Sequence, residues 1–274
     1  MHIAEKSPKI CLTIAGVDPS GGAGVIADIK TFFAFGCYPA AVIASLTFQN
    51  TTAVFGVENQ TGDVVRKQAV PVFDDLAVDA VKTGMLPNRD VIETVAELIR
   101  EYNIQKLVVD PVVRSTTGFD LIDDEALRAM IERLFPLASI VTPNIPETER
   151  ISQMTITTLE DVHAAGKKIL EMGPKAVLIK GGHLPDLESP KMARDYLFTA
   201  DGVFTFEAEY YDTDATHGTG CTLAAAITAN LALGNDLKTS VETAKDFVNE
   251  AIRTAPKIGK GNSPLNIQPI GRRG

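Results

Sequence analysis

Thr213-Asp-Ala-Thr-His217-Gly218-Thr219-Gly220-Cys221 runs directly into Thr222-Leu-Ala-Ala-Ala-Ile-Thr-Ala-Asn-Leu-Ala-Leu-Gly234, and the reading of this junction decides the fold. The second half reads as a buried helix: Ala and Leu dominate, Leu223, Ile227 and Leu231 recur every fourth residue, and Gly234 supplies a C-terminal stop. The first half reads as a turn. Two glycines separated by one residue let several backbone amides face one point, where the helix dipole also favours negative charge. Such a junction suits a phosphate. Cys221 falls on the first helical turn, where a thiol's pKa tends to fall, so it is a candidate base or nucleophile; the alternative is a small buried apolar residue.

Outward from this helix, short apolar runs rich in β-branched residues read as strands: Ile10 to Ala15, Ala41 to Leu46, Val78 to Val81, Lys106 to Val109, Ser139 to Val141 and Ala176 to Ile179. Helical patterns lie between most of them, the alternation of a parallel sheet covered on both faces. The clearest helix is Arg89 to Tyr102, with Val91, Ile92, Val95, Leu98, Ile99 and Tyr102 on one stripe and Glu93, Glu97 and Glu101 facing water. Thr158 ahead of Asp161 and Thr239 ahead of Glu242 are capping signals for two more. Asp195 to Thr199 and Val203 to Glu209 flank Asp201-Gly202 and read as a hairpin, so the sheet should gain antiparallel edge strands. The expectation is an α/β/α sandwich in one domain over residues 1–274, with a core from about 9 to 265 and a loose tail after Gly259.

With 45% apolar and 22% charged residues over 274 positions, the composition is that of an ordinary soluble globular chain, long enough to bury a substantial core. A net charge of -9 argues against nucleic-acid and anionic-membrane surfaces, but not against a small phosphorylated ligand held by amides and a few cations. Cys11, Cys37 and Cys221 form no paired motif, and residues 1–9 contain no apolar core of a leader, so the expected setting is the reducing cytoplasm.

Open α/β sheets bind ligands beyond the carboxyl ends of their strands. The residues that follow the six runs are polar or glycine-rich: Gly16-Val-Asp18-Pro-Ser-Gly21-Gly22-Ala-Gly24, then Asp28; Thr47-Phe-Gln49-Asn50-Thr51; Lys82-Thr83-Gly84-Met85; Asp110-Pro111-Val112; Thr142-Pro-Asn144-Ile-Pro-Glu147; and Lys180-Gly181-Gly182-His183. All should converge on one rim with the Gly218 to Cys221 loop.

Together these blocks (DPSGGAG at 18–24, QNT at 49–51, KTGML at 82–86, DPV at 110–112, TPN-xx-E at 142–147, KGGH at 180–183 and THGTGCT at 216–222) closely resemble the ribokinase-like superfamily. Within it they are similar to the hydroxymethylpyrimidine and phosphomethylpyrimidine kinases of thiamine biosynthesis. The resemblance implies a ribokinase-like three-layer sandwich that transfers the terminal phosphoryl of ATP to 4-amino-5-hydroxymethyl-2-methylpyrimidine and then to its monophosphate. It implies that Gly218, Thr219, Gly220 and Cys221 form the amide cradle for the migrating group, with Cys221 as base. It assigns the substrate to Gly16, Asp28, Gln49, Met85 and Val112, and nucleotide contacts to Asn144, Lys180 and Thr219. Mg2+ falls to Asp110 and Glu147, acting partly through water. His183 and His217 are read as loop-holding hydrogen-bond partners. Relatives of this kind are often homodimers, and the partner expected here is a small molecule. Ile26, the stretch Asp212 to Ala215 and the Gly259 to Leu265 segment depart from the family pattern. Two alternatives stand beside this reading: a pyridoxal kinase on the same frame, and a non-catalytic pyrimidine-binding regulator.

Overall fold

Residues 7–113, 121–181 and 192–268 are described by a computed structural model of the chain. The six apolar runs form β1 (Ile10–Val17), β2 (Tyr38–Gln49), β4 (Ala80–Thr83), β5 (Leu107–Val109), β6 (Ile140–Val141) and β7 (Ala176–Lys180), joined by β3 (Val54–Asn59), β8 (Met192–Thr199) and β9 (Gly202–Glu209). They make one sheet in the order β3-β2-β1-β4-β5-β6-β7-β8-β9. Pairing is parallel from β2 through β7 and antiparallel at both margins, where β3 meets β2 and the β8–β9 hairpin meets β7. The mostly parallel sheet with antiparallel edges is therefore as read from the sequence.

Alternate residues of the buried strands enter two cores, as the two-residue period of a strand requires. Leu12, Ile14, Val177 and Ile179 face a core completed by α2 (Gly62–Asp75), α3 (Arg89–Glu101), α4 (Asp124–Ala129), α5 (Ile145–Ser152) and α6 (Leu159–Leu170). Cys11, Ala80, Val108, Ala176 and Leu178 face a second core formed by α1 (Gly24–Ala34), α7 (Thr219–Leu233) and α8 (Leu237–Arg253). Helix α7 is buried without interruption from Thr222 to Ala232. A helix apolar on every side must be enclosed, and α7 lies between the sheet and its neighbours α1 and α8. Its start, Gly218 at φ 83°, and its stop, Gly234 at φ 96°, both use the left-handed conformation. Among the described residues no helix is long and apolar enough to cross a membrane.

Several local expectations change. β3, α2 and α5 are additional elements, and β2 continues through Thr47 to Gln49, so those residues belong to the strand itself. The cap of α8 is Asp236, whose carboxylate accepts from the Thr239 amide, because Asp236 stands directly before the first helical residue. The Thr158 capping box of α6 forms as read. From Lys260 to Asn266 the chain is held against the body of the protein. The amides of Lys260, Gly261 and Asn262 donate to Thr51, Leu265 is buried, and the Asn266 amide donates to the Ala251 carbonyl.

Candidate active site

The carboxyl ends of the parallel strands and the start of α7 enclose one cleft of about 1430 Å3. Its walls carry Gly16, Gln49, Met85 and Val112 on the side of β1, β2, β4 and β5. Asp110, Asn144, Glu147 and Lys180 follow along the rim, and Gly218, Thr219, Gly220 and Cys221 close it. Sites for one drug-sized ligand usually measure about 300–1,000 Å3, and this cleft is larger.

Asp28 is the exception among the expected site residues: it does not line the cleft. Its side chain is fully buried on α1, where Oδ2 accepts from Thr13 Oγ1 at 2.6 Å and from Lys82 Nζ at 2.8 Å. The cause is helical phase, which points Asp28 inward at β1 and β4, where a buried carboxylate must find a cation. Oδ1 has no hydrogen-bond partner among the described residues. Burial pulls the Lys82 ammonium down, but Asp28, Cys221 and Asp110 outweigh it and hold the group above its ordinary value. Gly182 and His183 lie outside the described residues.

The rim around Lys180 is an interlocked charge cluster. Its ammonium lies 3.1 Å from Asp110 Oδ1 and 3.9 Å from Glu147 Oε2, and Thr142 Oγ1 donates to the same Asp110 oxygen at 3.1 Å. Burial pushes the Glu147 carboxyl up to about 7; Lys180 opposes the shift and Asp110 adds to it. Asn144 and Glu147 form a capping box at the start of α5, each accepting from the other's amide at 2.8 Å. This explains why the TPN-xx-E spacing places a carboxylate on the rim. Gly220 lies tight against this cluster: a Cβ there would stand 3.1 Å from Lys180 Nζ and 3.8 Å from Asp110 Oδ2.

Cys221 sits on the first turn of α7 and lines the cleft together with Gly24, the first residue of α1. The thiol does not behave as its helical position alone suggests. Burial pushes it up to about 11; Lys82 and the Gly24 amide pull it down, and Asp110 and Asp28 push it further up. Desolvation of a thiolate flanked by two carboxylates outweighs one lysine and the helix dipole.

The sequence reading missed Asp18. Its Oδ1 accepts from the Ser20 amide at 2.8 Å and from Ser20 Oγ at 2.7 Å. Its Oδ2 accepts from the amides of Gly22 and Ala23 at 3.1 and 2.9 Å and meets His217 Nε2 at 2.7 Å. His217 thus holds the loop, as read. The signal for Asp18 was present in Asp18-Pro-Ser-Gly21, an Asx-turn string at a strand end.

A family model for phosphomethylpyrimidine kinase matches residues 18–266. The chain belongs to the phosphomethylpyrimidine kinase family. A hydroxymethylpyrimidine/phosphomethylpyrimidine kinase of Staphylococcus aureus is 44% identical over 260 residues, covering 94% of this chain and 93% of its own length. The crystal structure of a phosphomethylpyrimidine kinase from Clostridium difficile is 42% identical, with a TM-score of 0.78, over 89% of this chain and 99% of that one. The pyridoxal kinase of Staphylococcus aureus in complex with ADP superposes with a TM-score of 0.89 at 32% identity, over 98% of this chain and 96% of that one. The phosphomethylpyrimidine kinase is nearer in sequence and the pyridoxal kinase nearer in shape, so the frame alone does not select the acceptor; the lining side chains must.

Proposed function

We propose that this member of the phosphomethylpyrimidine kinase family transfers the terminal phosphoryl of ATP to 4-amino-5-hydroxymethyl-2-methylpyrimidine and then to its monophosphate, as a step of thiamine biosynthesis. The observation that carries this reading is the pairing across one cleft of Gln49 and Met85, at the ends of β2 and β4, with the Gly218–Cys221 turn of α7. Family membership supplies the reaction class, and the ADP complex of the pyridoxal kinase relative supports a purine nucleotide as donor.

Phosphoryl transfer depends on alignment and charge stabilisation more than on covalent chemistry. The amides in the first turn of α7 have no intrahelical acceptor and would steady the equatorial oxygens of the migrating group. Lys180 and Asn144 would meet the nucleotide phosphates. Gly16 lets the pyrimidine approach the backbone, while Met85 and Val112 cover its ring and Gln49 pairs with its polar edge. Cys221 would take the hydroxymethyl proton, which requires its thiolate form.

The carboxylates of Asp110 and Glu147, both against Lys180, offer the oxygen donors that Mg2+ prefers. Among the described residues no group of three or more His, Cys, Asp or Glu side chains comes together to cage an ion. Such a site would therefore hold Mg2+ through these two carboxylates, water and the nucleotide; when bound, the ion would neutralise phosphate charge. The same reading takes the chain as one domain in the cytoplasm and as a homodimer. The exposed Tyr38, Phe48 and Phe55 of the outer strand pair support an association surface.

The test is incubation of the purified protein with ATP, Mg2+ and the pyrimidine alcohol, followed by phosphorus NMR. Sequential appearance of the mono- and diphosphate is expected. Binding of the pyrimidine without release of ADP would instead identify a regulator.

A further inference from the structure

Two parts of the cleft that must stay in register belong to separate elements. Gln49 ends β2 near one margin of the sheet, and His217 leads into the Gly218–Cys221 turn of α7. Both line the cleft. The segment from Gly259 to Leu265 ties one to the other.

At its first end this segment closes on Thr51. The amides of Lys260 and Gly261 donate to Thr51 Oγ1 at 3.2 and 3.3 Å, and the Asn262 amide donates to the Thr51 carbonyl at 2.9 Å. Gly259, at φ 87°, and Gly261 pass so close to Thr51 that a Cβ on either would clash with it. At its other end Pro264 pairs with His217 in an isolated parallel bridge, and Leu265 is buried in the core that it shares with α7 and α8. Thr51 is in turn fixed relative to Gln49. Asn50 Oδ1 accepts from the Thr52 amide and hydroxyl at 2.8 and 2.7 Å, and the Asn50 amide donates to the Ala53 carbonyl at 3.1 Å, which closes the turn between β2 and β3. A shift of Thr51 therefore carries Gln49 with it.

Asn262 and Pro264 stand two residues apart, so no more than roughly 7 Å of chain separates the two anchor points. A tether that short leaves little play between the walls it joins. Phosphoryl transfer is sensitive to such spacing, because the acceptor oxygen and the migrating group must lie in line, and a misplacement of about 1 Å can cost about 100-fold in rate.

We propose that Thr51 is a positioning residue for the transfer step: by clasping the Gly259–Leu265 strap it sets the distance between the acceptor wall at Gln49 and the phosphate turn after His217. This rests on the kinase reading above and adds to it a residue that does not itself line the cleft.

The experiment compares the wild-type protein with Thr51→Val, which keeps the shape and loses the oxygen, and with Thr51→Ser, which keeps the oxygen. Lys260 is exposed, so water can replace its lost partner, and Thr51→Val should hold its thermal midpoint within about 4 °C of the wild type. Its kcat should fall about tenfold or more while KM for ATP and for the pyrimidine moves less than about threefold, and Thr51→Ser should recover most of kcat. An unchanged kcat in Thr51→Val, a raised KM for the pyrimidine at unchanged kcat, or a serine variant as slow as the valine one would each overturn the inference. So would a midpoint lowered well beyond that margin, which would mark Thr51 as holding the fold. Transfer to pyridoxal and not to the pyrimidine by the wild type would overturn the aminopyrimidine reading alone, and the same three proteins assayed with pyridoxal then decide the role of Thr51. Transfer to neither would overturn the kinase reading and the inference with it.

Discussion

Lys82 Nζ meets Asp28 Oδ2 at 2.8 Å with neither side chain exposed to solvent, directly behind the cleft wall that carries Gly84 and Cys221. The pair joins α1 to β4, and both members exert their charge on Cys221. Neither member lines the cleft, and both act on it through their charge.

Lys82→Met should strand the Asp28 carboxylate without a cation and cost roughly 3–5 kcal/mol of stability. The double variant Lys82→Met with Asp28→Leu should recover most of that loss. Chemical denaturation of the three proteins measures this. Equal loss in the single and double variants would mean that packing, not charge, holds these positions.

Two glycines of one turn should respond differently to the same methyl group. A Cβ on Gly218 would clash with the Gly22 carbonyl oxygen, on a backbone already at φ 83°. Gly218→Ala should therefore destabilise by several kcal/mol, roughly as for other strained backbone positions. A Cβ on Gly220 comes nearest to a side-chain end, Lys180 Nζ at 3.1 Å, and no backbone atom is among its near contacts. Gly220→Ala should keep its thermal midpoint within about 4 °C while kcat/KM for ATP falls about tenfold or more, a loss of roughly 1.4 kcal/mol or more in transition-state stabilisation. Calorimetry and steady-state kinetics on the pair check this.

The raised Cys221 thiol has a definite pH signature. Its folded value of about 11 lies above its unfolded value of 9.0, so its contribution to stability is complete below pH 9 and is lost as pH rises through about 11. If the thiolate is the base, kcat should climb with pH across the neutral and mildly alkaline range. Cys221→Ala should flatten that climb and lower kcat by about 100-fold with little change in KM. An unchanged kcat would remove Cys221 from the proton transfer.

Glu147 has the same sign at lower pH. Its folded carboxyl titrates at about 7 against 4.5 when unfolded, so the stability it contributes is complete below pH 4.5 and is lost as pH rises through about 7. Glu147→Gln keeps a side chain able to close the capping box and removes this titration. The variant should gain roughly 2–3 kcal/mol over the wild type between pH 4.5 and pH 8. Urea denaturation at the two pH values measures the difference.

The legible parts of the chain were those whose physics is local. β-branched runs gave the parallel strands, the Leu223-Ile227-Leu231 spacing gave α7, and the loops after strand ends gave most of the cleft, because open sheets bind there. β3 escaped because Gly56 and the polar Glu58-Asn59 break its alternation, and α2 because Pro71 interrupts it. The ion pair of Asp28 with Lys82, 54 positions apart, leaves no trace in either local pattern. The Cys221 thiol shifted against expectation for a related reason: its helix start was visible, whereas the burial and the two carboxylates acting on it come from tertiary packing.

The measurement that tests the account most directly is parallel kinetics with ATP and two acceptors, the aminopyrimidine alcohol and pyridoxal. The account predicts that the pyrimidine is phosphorylated with a kcat/KM at least about tenfold above that of pyridoxal, a difference of roughly 1.4 kcal/mol or more. Turnover of pyridoxal alone would contradict it.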